Sequence, residues 1–298
     1  MKLACLLCVV ALAWPTTSLA KPLFQPWIDG TGAAESQMQV QRYDADTVVI
    51  RQSVKTNFEA PFLYLLFGKD RALLLDTGAG GLKIRPTIDG VIDGWLRARH
   101  RTSIPLVVAH SHGHGDHRMG DAEFKDRPDT TLLGLTPPDV AGFFKIADWP
   151  NEIVAFDLGG RVLDIIPTPG HQPAHIMVFD RRTRLLLSGD SLYPGRLYVP
   201  DGQMATFRES IDRVVAFTRG KRISHLLGAH IEMTAVPGRD FPDAAPTHPN
   251  ERLLELPYAD LTELQAAVHA EGDPPKRDAH HDFIVFPLPP RPPAKPGG

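Results

Sequence analysis

Apolar residues along this chain fall into short blocks separated by turn-forming residues, and most blocks have the length of a strand. Thr47–Val54, Phe62–Phe67 and Ala72–Leu75 predict three strands, the last running into Asp76-Thr77-Gly78. Leu82–Leu96 predicts a helix, and Pro105–Ala109 a fourth, fully apolar strand. His117–Phe124 predicts the start of a helix, Thr130–Leu135 a strand, and Pro137–Ile146 a short Pro-flanked helix. Strands then resume at Glu152–Phe156, Val162–Pro167, Ile176–Phe179 and Leu185–Ser188, with Arg181-Arg182-Thr183-Arg184 as a hairpin turn. Arg208–Phe217 predicts a helix and Ile223–Leu227 a last short strand, while Leu253–Leu256 and Asp260–His269 predict helices interrupted at Pro257. Residues 21–45 carry no pattern that assigns them. Two strand-rich blocks, each followed by helices, predict an α/β fold in which two sheets pack face to face with helices outside.

The two ends of the chain differ from this pattern. Lys2 followed by the apolar run Leu3–Trp14 and by Ser18-Leu19-Ala20 predicts a signal peptide over residues 1–20, cleaved after Ala20. The run is short for a membrane span, so cleavage and no stable membrane anchor are expected. Both cysteines, Cys5 and Cys8, fall inside it. The processed chain is therefore expected to have no disulfide and no thiolate ligand, which suits an oxidising compartment and predicts a secreted, periplasmic protein. The catalytic domain is expected over 21–285, with a Pro-rich tail over 286–298 that is disordered or extended. A formal net charge of −3 and the lack of a broad basic run argue against a nucleic-acid partner and leave a small-molecule substrate.

The chemistry concentrates after the strand Pro105–Ala109. His110, His112, His114, Asp116 and His117 follow it on one loop, and neutral imidazoles with a carboxylate are preferred zinc ligands where no thiolate is available. The pattern His-x-His-x-Asp-His fits only from His112, because a start at His110 would need an acid where His114 stands. Gly113 and Gly115 are expected to supply the backbone freedom that lets His112 and His114 face one ion. Asp116 and His117 then face a neighbouring position, which suggests two ions. Three more strands end on metal-binding residues beside glycine, at Gly170-His171, Gly189-Asp190 and Gly228-Ala229-His230.

Taken in order, Asp76-Thr77-Gly78, His112-x-His114-x-Asp116-His117, Pro169-Gly170-His171, Gly189-Asp190 and Gly228-Ala229-His230 resemble the metallo-β-lactamase-fold hydrolase superfamily. The resemblance spans roughly residues 47 to 235. It implies a four-layered αββα sandwich and two Zn2+ per chain. His112, His114 and His171 would hold one zinc, Asp116, His117 and His230 the other, and Asp190 would bridge them. Within the family, His at position 117 is similar to the glyoxalase, lactonase and β-lactamase branches that carry it there. The implied activity is hydrolysis of an ester, lactone or β-lactam bond by a metal-bound hydroxide that Asp116 orients. The alternatives are a mononuclear iron oxygenase of the same fold, similar to the persulfide dioxygenases, and a zinc-stabilised binding module without turnover.

Around these ligands, Asp76 is expected to accept a hydrogen bond from a ligand histidine or brace the loop. His175 reads as a hydrogen-bonded histidine that starts a strand, and His110 as a structural residue outside the motif. Tyr193 and Tyr198 are candidates either for a phenolic donor to the substrate or for aromatic packing at the pocket wall.

Overall fold

The computed structural model describes residues 22–290, so the predicted signal peptide and residues 291–298 lie outside the described residues. Two six-stranded sheets form the centre. The first contains, in spatial order, β1 (Met38–Asp44), β2 (Thr47–Gln52), β3 (Phe62–Phe67), β4 (Ala72–Leu75), β5 (Leu106–Ala109) and β6 (Thr130–Leu132). The second runs β13 (Glu255–Leu256), β12 (His225–Gly228), β10 (Leu185–Gly189), β9 (Ile176–Asp180), β8 (Val162–Pro167) and β7 (Val154–Asp157). A third sheet of β11 (Arg196–Val199), β15 (Ile284–Pro287) and β14 (Asp278–Ala279) completes the strands.

The layering follows from the period of two along each strand. In the first sheet Val49, Tyr64, Leu66, Leu73, Leu75 and Val107 face the second sheet, where they meet Leu163, Ile165, Val178, Leu185 and Leu187 in one buried cluster. The intervening residues, Val48, Ile50, Leu63, Leu65, Leu74 and Val108, face the other way and pack on helix α1 (Arg85–Ala98) through Ile88, Ile92 and Trp95. The second sheet does the same, with Ile166, Met177, Leu186 and Leu226 packed on α4 (Met204–Thr218) and α5 (Tyr258–Ala270). The order helix, sheet, sheet, helix is the four-layered αββα sandwich expected from the sequence. Among the described residues no helix is long and apolar enough to cross a membrane.

Strand direction places the functional end. β4 pairs parallel with β5, and β10 parallel with β12, each through a crossover that includes a helix. β8 is antiparallel to β9, which is antiparallel to β10, so β8 also runs with β10. The carboxyl ends of β4, β5, β8, β10 and β12 therefore open onto the same rim, and each is followed by a motif residue.

Several elements depart from the sequence pattern. The helix expected from His117 starts earlier, as α2 (Gly115–Arg118), and stops after one turn before a 3-10 turn at Asp121–Glu123. It stops because the His117 carbonyl accepts from the Thr77 amide, at 2.7 Å, instead of extending the helical ladder. Leu253–Leu256 is not helical. Pro257 biases the residue before it toward extended backbone, and β13 pairs Leu256 with Leu226 of β12. The unassigned stretch 21–45 contains β1, paired with β2 from Met38 to Asp44. The other short helix, α3 (Pro137–Phe144), is closed at its start by a reciprocal capping box between Thr136 and Asp139.

The Pro-rich end enters the fold before it leaves the described residues. Ile284–Pro287 is strand β15, parallel to β11, and the Leu288 amide donates to the Val199 carbonyl at 2.8 Å. Proline tolerates this position because β15 is held by pairing that ends at Pro287.

Asp260, in the first turn of α5, is 4% exposed, and its Oδ2 has no hydrogen-bond partner. Burial, reinforced by Asp282 and Glu263 nearby, pushes its carboxyl up to about 7. A carboxyl raised in the folded state stabilises the fold below its unfolded value, and that contribution is lost as pH rises through 7. Asp260→Asn is therefore expected to add about 1–4 kcal/mol of stability at pH 8, read as a higher melting temperature, and to leave it unchanged near pH 4. Equal shifts at both pH values in thermal unfolding would rule out this account.

Candidate metal centre

The rim loops bring seven candidate ligand side chains together in two groups, His112 with His114 and His171, and Asp116 with His117, Asp190 and His230. Within each group the ligand atoms lie within 4.8 Å of one another. His112 Nε2 is 2.9 Å from His114 Nδ1 and 3.2 Å from His171 Nε2, and His171 Nε2 is 3.0 Å from His114 Nδ1. A tetrahedral ion about 2.0–2.1 Å from three nitrogens spaces them by about 3.3 Å, so this triangle fits a metal with slight expansion. In the second group His117 Nε2 is 3.1 Å from Asp116 Oδ2 and 3.4 Å from His230 Nε2, and His230 Nε2 is 3.3 Å from Asp116 Oδ2.

Asp190 stands between the groups. Its Oδ2 is 3.5 Å from both His171 Nε2 and His117 Nε2, and its Oδ1 is 3.5 Å from His230 Nε2. That Oδ1 is buried with no hydrogen-bond partner. A buried carboxylate oxygen left unpartnered among imidazoles is what a cation site looks like before the cation is counted. Charge leads to the same conclusion. Burial works against a charge on His230, yet Asp190 and Asp116 hold it protonated up to about 10. His117 is likewise raised, against burial, by Asp190, Asp116 and Asp76. Burial would raise Asp116 and Asp190, but His117 and His230 beside them keep both carboxylates well below the usual range. A divalent ion would replace those protons. The donor set fits a metal.

Three of the five imidazoles are aimed by a partner on the other nitrogen. His117 Nδ1 donates to Asp76 Oδ2 at 3.0 Å, His171 Nδ1 to the Tyr198 carbonyl at 2.7 Å, and His230 Nδ1 to the Glu59 carbonyl at 2.8 Å. These acceptors leave Nε2 free to face the centre. Asp76 does more than hold His117. It also accepts from the Ser111 amide at 2.7 Å and the Ser111 hydroxyl at 2.9 Å, which pins the loop that carries His112.

His175 is fully buried at the start of β9 and outside both ligand groups. Its Nε2 accepts from the Asp190 amide at 3.1 Å while Nδ1 donates to the Thr168 hydroxyl at 2.7 Å, so it positions the backbone of Asp190 as a neutral ring. His110 turns away and pairs with Asp121 at 2.8 Å.

The expectation for the glycines is corrected. Gly113 and Gly115 have no positive φ, so the loop geometry of His112 and His114 does not depend on glycine's backbone freedom. Glycine is required instead at Gly170, before His171. Its φ is +136°, and a Cβ there would lie 2.5 Å from the Phe207 backbone of α4.

A cavity of 610 Å³ opens over the centre, with His114, Asp116, His171, Asp190 and His230 on its floor. Tyr193 and Tyr198 both line it, but they are not equivalent. Tyr193 is buried, and its hydroxyl donates to the Arg196 carbonyl at 2.5 Å and lies 3.1 Å from Glu232 Oε2, so it packs as a wall against His230. Tyr198 is half-buried, and burial with the nearby charge of Glu232 pushes its phenol up, which keeps it a donor.

The wall also contains residues that sequence reasoning missed, chiefly Glu59, Asp201, Glu232 and Leu288. Glu59 is pushed up to about 7 by burial, with His230 opposing and Asp116 and Glu232 adding to the rise. A lone acid in the loop 57–61 has no spacing that could mark it.

A family model described as the metallo-beta-lactamase superfamily matches residues 57–251, a span that holds every ligand residue above. The chain belongs to this superfamily. Among curated relatives, a hydroxyacylglutathione hydrolase of Rhizobium meliloti (strain 1021) is 31% identical over 138 residues, covering 43% of this chain and 52% of that protein. The human acyl-coenzyme A thioesterase MBLAC2 is 24% identical over 201 residues, covering 56% of this chain and 72% of that protein. The chain thus spans about half the length of the hydroxyacylglutathione hydrolase it matches. Among solved structures, a metallo-beta-lactamase from Pontibacter korlensis superposes with a TM-score of 0.51 at 14% identity, covering 79% of this chain and 100% of that one. At that identity the likeness speaks for the fold alone. The two curated relatives are named as a hydrolase and a thioesterase, and this chain has a His/Asp cluster that could hold metal ions.

Proposed function

We propose that this member of the superfamily is a secreted hydrolase that binds two zinc ions and cleaves an ester, lactone or β-lactam bond in a small molecule. The observation that carries the reading is the pair of ligand groups flanking Asp190 at the floor of an open cavity. His112, His114 and His171 would hold one ion, and Asp116, His117 and His230 the other, with Asp190 shared. Zinc at these residues would supply a Lewis acid and would lower the pKa of a water there to about 7. The chain supplies the rest. Asp116, kept ionised and facing the cavity, is placed to orient the attacking water and take its proton. The Tyr198 hydroxyl is a neutral donor on the wall, available to a substrate oxygen. The apolar run after Lys2 and the placement of both cysteines within it support export to the periplasm.

The first test is hydrolysis of a chromogenic cephalosporin by the zinc-loaded protein, with and without a chelator, followed by lactones, phenyl esters and thioesters. Thioesters belong in the panel because two relatives bear thioester-cleaving names. Chelator-sensitive turnover of one class, with two zincs and no iron per chain, supports the reading. Iron in place of zinc would favour the oxygenase alternative, and a melting temperature raised by zinc with no turnover would favour the binding module.

A further inference from the structure

The metal ligands set the reaction, and the rest of the cavity decides what can approach them. The charged side chains on its walls, apart from the ligands, are Glu59, Asp201 and Glu232, and all three are acidic. Among the described residues no lysine or arginine lines it. The guanidinium of Arg196, on β11 two residues before Tyr198, is committed elsewhere. Its Nη2 lies 3.1 Å and its Nε 3.3 Å from the Glu232 carboxylate, and its Nη1 donates to the Phe241 carbonyl and lies 3.7 Å from Asp240. Glu232 is therefore neutralised by its partner, while neither Glu59 nor Asp201 has an ion pair among the described residues. Between these carboxylates the wall is apolar or aromatic, through Tyr198, Pro200, Leu288 and Pro289.

Recognition of a carboxylate or phosphate needs a fixed positive group, and an arginine fork serves best. Two ions at the floor would contribute positive charge, but Asp116 and Asp190 offset part of it and the reacting carbonyl uses what is left. A second anionic group, further along the substrate, finds no lysine or arginine among the described lining residues and meets Asp201, and Glu59 whenever that buried acid is ionised, in a partly desolvated space where like charges repel.

Resting on the hydrolase reading above, we infer that this cavity selects substrates whose non-reacting arm is uncharged or cationic, and rejects arms that carry a carboxylate or phosphate. Glu59 and Asp201 are the specificity-determining residues, with Tyr198 and Leu288 forming the apolar contact surface.

Two measurements test this on the full chain, tail included, loaded with zinc. The first compares 4-nitrophenyl hexanoate with the mono-4-nitrophenyl ester of adipic acid, which has the same six-carbon arm ending in a carboxylate. The uncharged ester is expected to have at least about tenfold higher kcat/KM. The double substitution Glu59→Gln with Asp201→Asn is expected to narrow that ratio by raising the rate on the adipate ester. The second measures binding, by calorimetry, of three thiols of similar size. Cysteamine and 2-mercaptoethanol are expected to bind at least about tenfold more tightly than 3-mercaptopropionate, and the double variant to close the gap. Equal or tighter handling of the anionic members, or a ratio unmoved in the double variant, overturns the inference. The thiol order holding while nothing in the cephalosporin, lactone, ester and thioester panel is cut in a zinc-dependent way supports the charge selection and overturns the hydrolase reading, so the two failures are separable.

Discussion

Asp190→Asn is expected, on the proposed two-zinc hydrolase reading, to lower hydrolysis by about 10³-fold or more and to reduce bound zinc from two ions per chain to one or fewer. The carboxylate lies within 3.7 Å of imidazoles from both ligand groups, its nearest contacts being His112, His117, His171 and His230. Asparagine keeps the shape but presents a neutral amide, which cannot offset the charge of two cations and binds them weakly. The fold should survive, because Asp190 is tied to it mainly through its backbone amide, which donates to His175. The checks are metal content by elemental analysis, chelator-sensitive turnover of whichever substrate class the wild-type protein cleaves, and the melting temperature of the metal-free form. Retained activity with two metals bound would remove Asp190 from its central role.

The second large effect is on stability and lies away from the metals. Glu251→Ala is expected to cost about 3–5 kcal/mol, the usual penalty for stripping the partner from a buried charge. Arg51, on β2, has a fully buried side chain, and its two terminal nitrogens each lie 2.5 Å from a Glu251 oxygen. The guanidinium also stacks over the Phe62 ring at 5.0 Å, so it has no route to water when its partner is lost. Chemical unfolding of the zinc-loaded protein measures the loss. Replacing both residues with Met is expected to recover most of it, since an apolar pair of similar volume removes the unpaired charge along with the bridge. A loss below about 1 kcal/mol in the single variant would place the pair among weak surface bridges instead.

The legible part of this protein was local. Strand-length apolar blocks marked most of the two central sheets, because a strand buried on both faces must be apolar along its whole length. The ligand residues were legible for a related reason. Most sit within a few residues of a strand's end, and Asp116 and His117 on the loop and turn that follow β5, so the pattern that located the strand located its candidate ligands, as with Ala109 before the histidine loop and Gly228 before His230.

What escaped notice depends on partners distant in sequence. Leu253–Leu256 looked helical because its composition is, yet the chance to pair with β12 and the following proline made it a strand. β1, β11 and β15 are short or only half-buried, and each is defined by a neighbour's hydrogen bonds more than by its own pattern. The same applies to the cavity. Glu59 and Glu232 carry no motif, and Tyr193 could be told from Tyr198 only once Arg196 and Glu232 had taken its hydroxyl.

The sequence by itself therefore determined that two sheets pack between helices and which histidines and aspartates are candidate ligands, since periodicity and strand-end chemistry are written in consecutive residues. Only the tertiary structure decided how the two ligand groups meet at Asp190 and which charges face the substrate. Those depend on strand direction and on which side chains are already paired, and neither is encoded in any one stretch of chain.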